Sequence, residues 1–146
     1  MEVTTSIKGS CHCGNIRYEF RPVQAPADLP VRACRCTFCR KHDARYTSDP
    51  GGRLTLTIGS ETQTARYRFA TRTAEFVVCR NCGVLVAVLA EISGRTHAVV
   101  NLAAADGFDL DQYEAKAADF SGESESQRRA RRGRNWIADV TVVVEA

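Results

Sequence analysis

A mainly β fold with its strands pinned by metal-binding knuckles is what this sequence predicts, on three observations. Short stretches that alternate apolar and polar residues and are rich in β-formers recur, as at residues 16–20, 54–58 and 66–69. Turn signals separate them, Asp49-Pro50-Gly51-Gly52 foremost. All seven cysteines fall in three tight knots: Cys11-His12-Cys13-Gly14, Cys34-Arg35-Cys36-Thr37-Phe38-Cys39, and Cys79-Arg80-Asn81-Cys82-Gly83. Such spacing lets neighbouring sulfurs converge on one tetrahedral ion.

In chain order, Lys8-Gly9-Ser10 leads into the first knuckle, where Gly9 and Gly14 permit a tight backbone. Ile16-Arg17-Tyr18-Glu19-Phe20 has the alternation of a half-buried strand, and Pro22, Pro26 and Pro30 make the next segment a loop. Val31-Arg32-Ala33 is a short extended lead into the central knot. Residues 43–53 are polar and turn-like. Residues 54–58 form a clean strand, residues 66–69 another, and Glu75-Phe76-Val77-Val78 delivers the chain into Cys79. The apolar run 84–89 suits a buried strand, Ser93-Gly94-Arg95 a hairpin turn, and residues 97–102 the returning strand. Residues 106–112 are loop-like, and 113–120 favour no single state. Residues 122–134 lack an apolar stripe, but acids come first, arginines last, and Ser124-Glu125-Ser126-Gln127 has capping-box spacing. A short exposed helix or a disordered loop is expected there. Residues 136–145 form a final strand.

Composition bounds the function. A chain of 146 residues, 44% hydrophobic and 25% charged, is expected to fold as one zinc-binding domain, 1–146. No apolar run is long enough to cross a bilayer, so no membrane partner is expected. Met1-Glu2-Val3-Thr4-Thr5-Ser6 lacks the basic start and apolar core of a signal peptide, which makes a cytoplasmic location the expectation. In that reducing setting cysteines serve as metal ligands rather than disulfides, and an odd count of seven also opposes full pairing. A net charge of +3 identifies no partner. Its distribution says more: Arg35, Arg40, Lys41 and Arg80 sit among the cysteines, and five arginines lie between Arg128 and Arg134.

Cys11 and Cys13 with Cys79 and Cys82 make a four-thiolate site, whose natural occupant is a structural zinc with no position left for substrate. Cys34, Cys36 and Cys39 remain, and three ligands plus one vacancy is the pattern of a catalytic zinc. Three thiolates on a divalent ion leave a net −1, which disfavours water activation and favours accepting a soft sulfur ligand from outside. The expected cofactor is therefore Zn2+, two per chain, and the chemistry thiol activation. Arg35, Arg40 and Lys41 are placed to offset the negative charge. His42, three positions beyond Cys39, is the alternative closing ligand, which would make the second site structural. His12 and His97 are expected to be structural or solvent-facing, and the spacing fits iron–sulfur ligation poorly.

With the three knots assembled, the sequence resembles the glutathione-dependent formaldehyde-activating enzyme family, which includes centromere protein V. The matching stretches are Gly9 with Ser10, Cys11, His12, Cys13 and Gly14; the run from Cys34 through Lys41; and Phe76 through Gly83. Val99-Val100-Asn101-Leu102 and Asp106-Gly107 match as well, so that the likeness spans roughly residues 6–112. It implies a tent-like β fold, a structural zinc on Cys11, Cys13, Cys79 and Cys82, and an active-site zinc on Cys34, Cys36 and Cys39. The implied activity joins a small-molecule thiol, glutathione, to the aldehyde formaldehyde, giving S-hydroxymethylglutathione. In that reaction Arg40, Lys41 and Arg45 are the candidate anchors for substrate carboxylates. Two stretches depart from the family pattern: His42-Asp43-Ala44-Arg45, and residues 113–136 with their arginine cluster. Either could line a pocket or its rim.

The competing function is a non-catalytic module with two structural zincs, its arginine cluster contacting nucleic acid or another acidic partner. Glu123 and Glu125 beside that cluster, and the lack of interleaved aromatics, weigh against nucleic acid.

Overall fold

The computed structural model describes residues 6–145. Its elements are β1 (Ile7–Ser10), β2 (Ile16–Arg21), β3 (Arg32–Cys34), α1 (Thr37–Lys41), β4 (Tyr46–Thr47), β5 (Arg53–Ile58) and β6 (Thr64–Tyr67). There follow β7 (Glu75–Cys79), β8 (Leu85–Ile92), β9 (Arg95–Asn101), β10 (Lys116–Ala118), α2 (Glu125–Asn135) and β11 (Asp139–Val144). At 40% strand against 19% helix the protein is mainly β, as the alternating stretches predict.

The strands form two sheets, one in the order β1-β2-β5-β11 and one in the order β10-β3-β4-β9-β8-β7-β6. Alternation decides which side chains meet between them. Ile16, Tyr18 and Phe20 of β2 and Leu54, Leu56 and Ile58 of β5 face Val77, Val86, Val100 and Ala98 of the larger sheet, in a single apolar cluster. β8 is buried along its first six residues, because its other face is also covered. There Leu85, Val88 and Val99 pack with Cys39, Tyr46 and Trp136 in a second cluster. A near-continuous apolar run is what a strand covered on both faces requires.

Buried polar side chains hold the loops. Asn101 donates to the Leu85 carbonyl at 2.9 Å and accepts from the Arg45 and Ala103 amides, each at 3.1 Å. Asp49, 3% exposed, accepts from the amides of Val23 (2.9 Å), Gln24 (3.0 Å) and Gly51 (3.1 Å), so the predicted turn also anchors the proline-rich loop. Burial alone would raise its carboxyl; the Gln24, Gly51 and Val23 donors outweigh that and hold it below the usual carboxylate range. A depressed folded-state pKa means stabilisation that is present above the unfolded value, about 3.9, and lost as pH falls through the folded one. Asp49→Asn is expected to destabilise the protein by about 1–3 kcal/mol at pH 7, with the gap to the parent closing in acid, as urea melts across pH would measure.

The C-terminal third departs most from expectation. Residues 113–120 contain β10, which runs parallel to β3 with Ala118 opposite Cys34. Residues 122–134 are neither a disordered loop nor a wholly exposed helix. Ser124 accepts from the Gln127 amide at 3.2 Å and Gln127 Oε1 from the Ser124 amide at 2.9 Å, the reciprocal cap that starts α2. Beyond α2, Trp136 and Ile137 are buried, and β11 adds to the smaller sheet parallel to β5.

Candidate functional site

The first sulfur cluster forms where two knuckles meet. Cys11 follows β1 and Cys79 ends β7. Gly14 (φ 85°) and Gly83 (φ 83°) turn the chain back, donating to the carbonyls of Cys11 (3.2 Å) and Cys79 (2.8 Å). A Cβ at either glycine would meet nothing within 4 Å, so the requirement there is the left-handed backbone alone. The sulfurs of Cys11, Cys13, Cys79 and Cys82 all lie within 4.8 Å of one another, with Cys11–Cys13 at 3.7 Å and Cys13–Cys79 at 3.6 Å. A tetrahedron with zinc–sulfur bonds of about 2.3 Å has edges of about 3.8 Å, so the donor set fits that ion. The Ile16 amide donates to Cys11 Sγ at 3.3 Å, and Asn15 Nδ2 reaches Cys79 Sγ at 3.9 Å. Hydrogen bonds from the Asn81 side chain and the Asn15 amide bring the Cys13 thiol down to about 6, while burial pushes Cys11 up to about 11.

The second cluster is built from β3 and α1. Cys34 ends β3, held by the Arg35 amide donating to the Ala118 carbonyl at 2.9 Å. Cys36 is the N-cap of α1, its Sγ accepting from the Cys39 amide at 3.3 Å, and one helical turn then brings Cys36 and Cys39 to the same face. These three sulfurs also lie within 4.8 Å of one another. The Tyr46 hydroxyl donates to Cys39 Sγ at 3.2 Å from beneath. A hydrogen bond from Cys39, the Cys36 amide and the nearby Arg131 bring Cys34 down to about 6; its contact with Cys34 and its burial drive Cys39 well above the ordinary thiol value. Among the described residues no fourth donor joins this group. His42 caps the C-terminal end of α1 with its ring 4.6 Å from Phe38, outside the sulfur set.

All three sulfurs open into a cavity of about 520 Å³. Val88, Val99 and Trp136 line it, with the aromatic pair Phe69 and Phe76, ring centroids 4.9 Å apart. Arg32, Arg35, Arg128, Arg131 and Arg132 line it as well. A second cavity, about 640 Å³, lies by Arg66, Arg68 and Arg129, away from the cysteines, and there Glu61, Glu75 and Glu125 pair those guanidiniums.

The residues singled out from the sequence divide clearly. The seven cysteines come together in the expected four and three. Arg35 lines the cavity. Arg40 and Lys41 are exposed on α1 and do not line it; Arg45 pairs with Asp43 at 3.1 Å, also outside it. His12 is exposed, and His97 is buried with Nδ1 3.0 Å from the Arg95 carbonyl. The 113–136 stretch does line the cavity, through Arg128, Arg131, Arg132 and Trp136, whereas the sequence marks neither these individual residues nor Tyr46 as site residues. A signal for the arginines existed, since Arg128, Arg131 and Arg132 are spaced i, i+3, i+4, on one helical face.

The chain is mainly β and carries two cysteine clusters with the geometry to hold metal ions, one of four thiols and one of three that opens into a cavity. The sequence matches the family described as glutathione-dependent formaldehyde-activating enzyme over residues 6–123, and the chain belongs to that family. A crystal structure of a Rhodobacter sphaeroides protein, solved as a structural-genomics target, is 30% identical with a TM-score of 0.61, covering 76% of this chain and 99% of that one. Among the described residues, no helix is long and apolar enough to cross a membrane.

Proposed function

We propose that this protein is a zinc-dependent carbon–sulfur lyase or synthase acting on a thiol–aldehyde adduct such as S-hydroxymethylglutathione. The observation that carries the reading is the three-sulfur set of Cys34, Cys36 and Cys39 opening into a cavity, beside a four-sulfur set with no position to spare. In this reading Cys11, Cys13, Cys79 and Cys82 hold a structural zinc, and the single domain 1–146 works in the cytoplasm, where its thiols stay reduced.

Cys34, Cys36 and Cys39 would hold the zinc, which would supply a soft acceptor favouring the ionised form of an incoming thiol. The protein's own residues do the rest. Tyr46 donates to Cys39 and fixes that sulfur in the cavity lining. Phe69, Phe76 and Trp136 restrict water around the reacting carbon. The cavity's guanidiniums balance a thiolate-rich centre that would reach about −2 with substrate bound. In the forward direction the thiol sulfur attacks the carbonyl carbon, the carbon–sulfur bond forms, and the proton lost by the thiol ends on the former carbonyl oxygen. Cleavage is the reverse, and no oxidant or reductant is consumed.

Exchange spectroscopy by NMR tests this. The zinc-loaded protein is expected to accelerate interconversion of glutathione plus formaldehyde with S-hydroxymethylglutathione, and a zinc-free protein is not. Equal exchange rates with and without protein would remove the proposal. Of the arginine cluster invoked by the nucleic-acid reading, Arg128, Arg131 and Arg132 line the cavity, while Arg129 and Arg134 are exposed.

A further inference from the structure

α2 places three guanidiniums in the lining of the cavity, and two of them are poorly neutralised. Arg131 is satisfied: its Nε and Nη2 take both oxygens of Glu123 at 2.9–3.1 Å, and its guanidinium lies 3.5 Å over the Phe120 ring. Arg128 and Arg132 are not. Arg128 donates through Nη2 to the Phe120 carbonyl at 3.0 Å and lies 4.0 Å from Glu123, which Arg131 already occupies. Arg132 is 6% exposed, donates to Thr73 Oγ1 at 2.8 Å, and stands 5.0 Å from the Trp136 ring, with no carboxylate bonded to it among the described residues. The Nε atoms of both are buried and have no hydrogen-bond partner among the described residues. Arg32 adds a further cation to the same cavity, bonded to the neutral Ser48 hydroxyl at 2.6 Å.

A buried guanidinium without an anion is costly, and folded proteins keep one only where something offsets it. Five arginines line this cavity, against Asp119 within it and Glu123 behind it. Burial and the neighbouring arginines lower Arg132 to about 10, a sign that the protein itself leaves this cation short of negative charge.

We infer that Arg128 and Arg132, supported by Arg32, form a subsite for a carboxylate of the substrate, so that this enzyme takes acidic thiols and refuses neutral ones. The inference rests on the cavity being the thiol site, and it assigns the far end of the substrate to α2 instead of to Arg40, Lys41 or Arg45. Guanidinium planes suit carboxylates because two parallel N–H donors match the two oxygens.

Trp136 is the single tryptophan and lies in the cavity, so its fluorescence reports occupancy without turnover. S-methylglutathione, which has no free thiol, is expected to give a saturable change in the parent, and its diethyl ester to bind at least about tenfold more weakly. Arg132→Met keeps the apolar stem and removes the orphaned charge. It is expected to melt no lower than the parent and to weaken S-methylglutathione at least about tenfold, whereas a purely structural arginine would cost stability and spare binding. Arg128→Gln provides the same binding test should Arg132→Met fold poorly, and Arg129→Gln, outside this cavity, is expected to bind as the parent does. The subsite is overturned if the parent shows no response, if the ester binds as well as the acid, or if the tested variants bind normally. Arginine-dependent binding without formaldehyde exchange would sink the proposed reaction and keep the subsite; exchange with unaltered KM in Arg128→Gln would do the opposite.

Discussion

Cys36→Ser is expected to remove one of the two proposed zincs and lower the proposed carbon–sulfur exchange by at least about a thousandfold, with the fold retained. The magnitude follows from losing several kcal/mol of charge stabilisation at the reacting sulfur, each 1.4 kcal/mol being about tenfold in rate. Position 36 isolates this effect better than its neighbours. Cys39 is 2% exposed and packed on Tyr46, so its replacement would also disturb the second apolar cluster. Cys36 is only half-buried, and its backbone role is to cap α1, a position where serine is preferred. The hydroxyl can accept from the Cys39 amide as the thiol does, so helix and loop should survive while the metal ligand is lost. Metal analysis, circular dichroism and the NMR exchange assay together decide it. A variant that unfolds would make the central site structural; one that keeps two zincs and full activity would remove Cys36 from the ligand set.

The legibility of this chain varies with how local the determining physics is. Cysteine spacing is local, and the division into four and three follows from it because a tetrahedral ion takes four donors. Strand alternation is local too, and β2, β5, β7, β8 and β9 stand where the pattern puts them. β10 was not legible because Lys116-Ala117-Ala118 carries little intrinsic β preference; it is a strand because β3 offers an edge to pair with. The arginine cluster is ambiguous in sequence, between a solvated face and a pocket rim, for a related reason. A run of charges is ordinarily a solvated face, and only tertiary packing, with Trp136 and Thr73 around Arg132, turns part of it inward. The same tertiary ignorance made Arg40, Lys41 and Arg45 attractive, since nearness in sequence to Cys39 stood in for nearness in space. His42 illustrates the converse: Cys-x-x-His spacing is permissive, but here the residue ends a one-turn helix and its ring packs against Phe38.

Cys79→Ser is expected to have the largest effect on stability, leaving the protein largely unfolded and free of both proposed zincs. Cys79 is fully buried at the end of β7, and its sulfur lies 3.6 Å from Cys13, which is 66 positions away in sequence. The four-sulfur cluster therefore ties the β1–β2 turn of one sheet to the β7–β8 turn of the other. A structural zinc of this kind contributes about 10–16 kcal/mol of folding free energy, whereas a domain of this size has a net stability of only about 5–15 kcal/mol. Loss of the first term can exhaust the second. Chelation of the parent should then proceed in two stages. The three-cysteine site faces the cavity and is expected to release its metal first, abolishing exchange with little change in circular dichroism; removal of the four-cysteine zinc should follow with cooperative unfolding. Urea melts of Cys79→Ser and chelator titrations followed by circular dichroism would measure both. If Cys79→Ser instead folds with only a modestly lower melting temperature, the core between the sheets, from Ile16 and Phe20 across to Val86 and Val100, holds the fold without the metal.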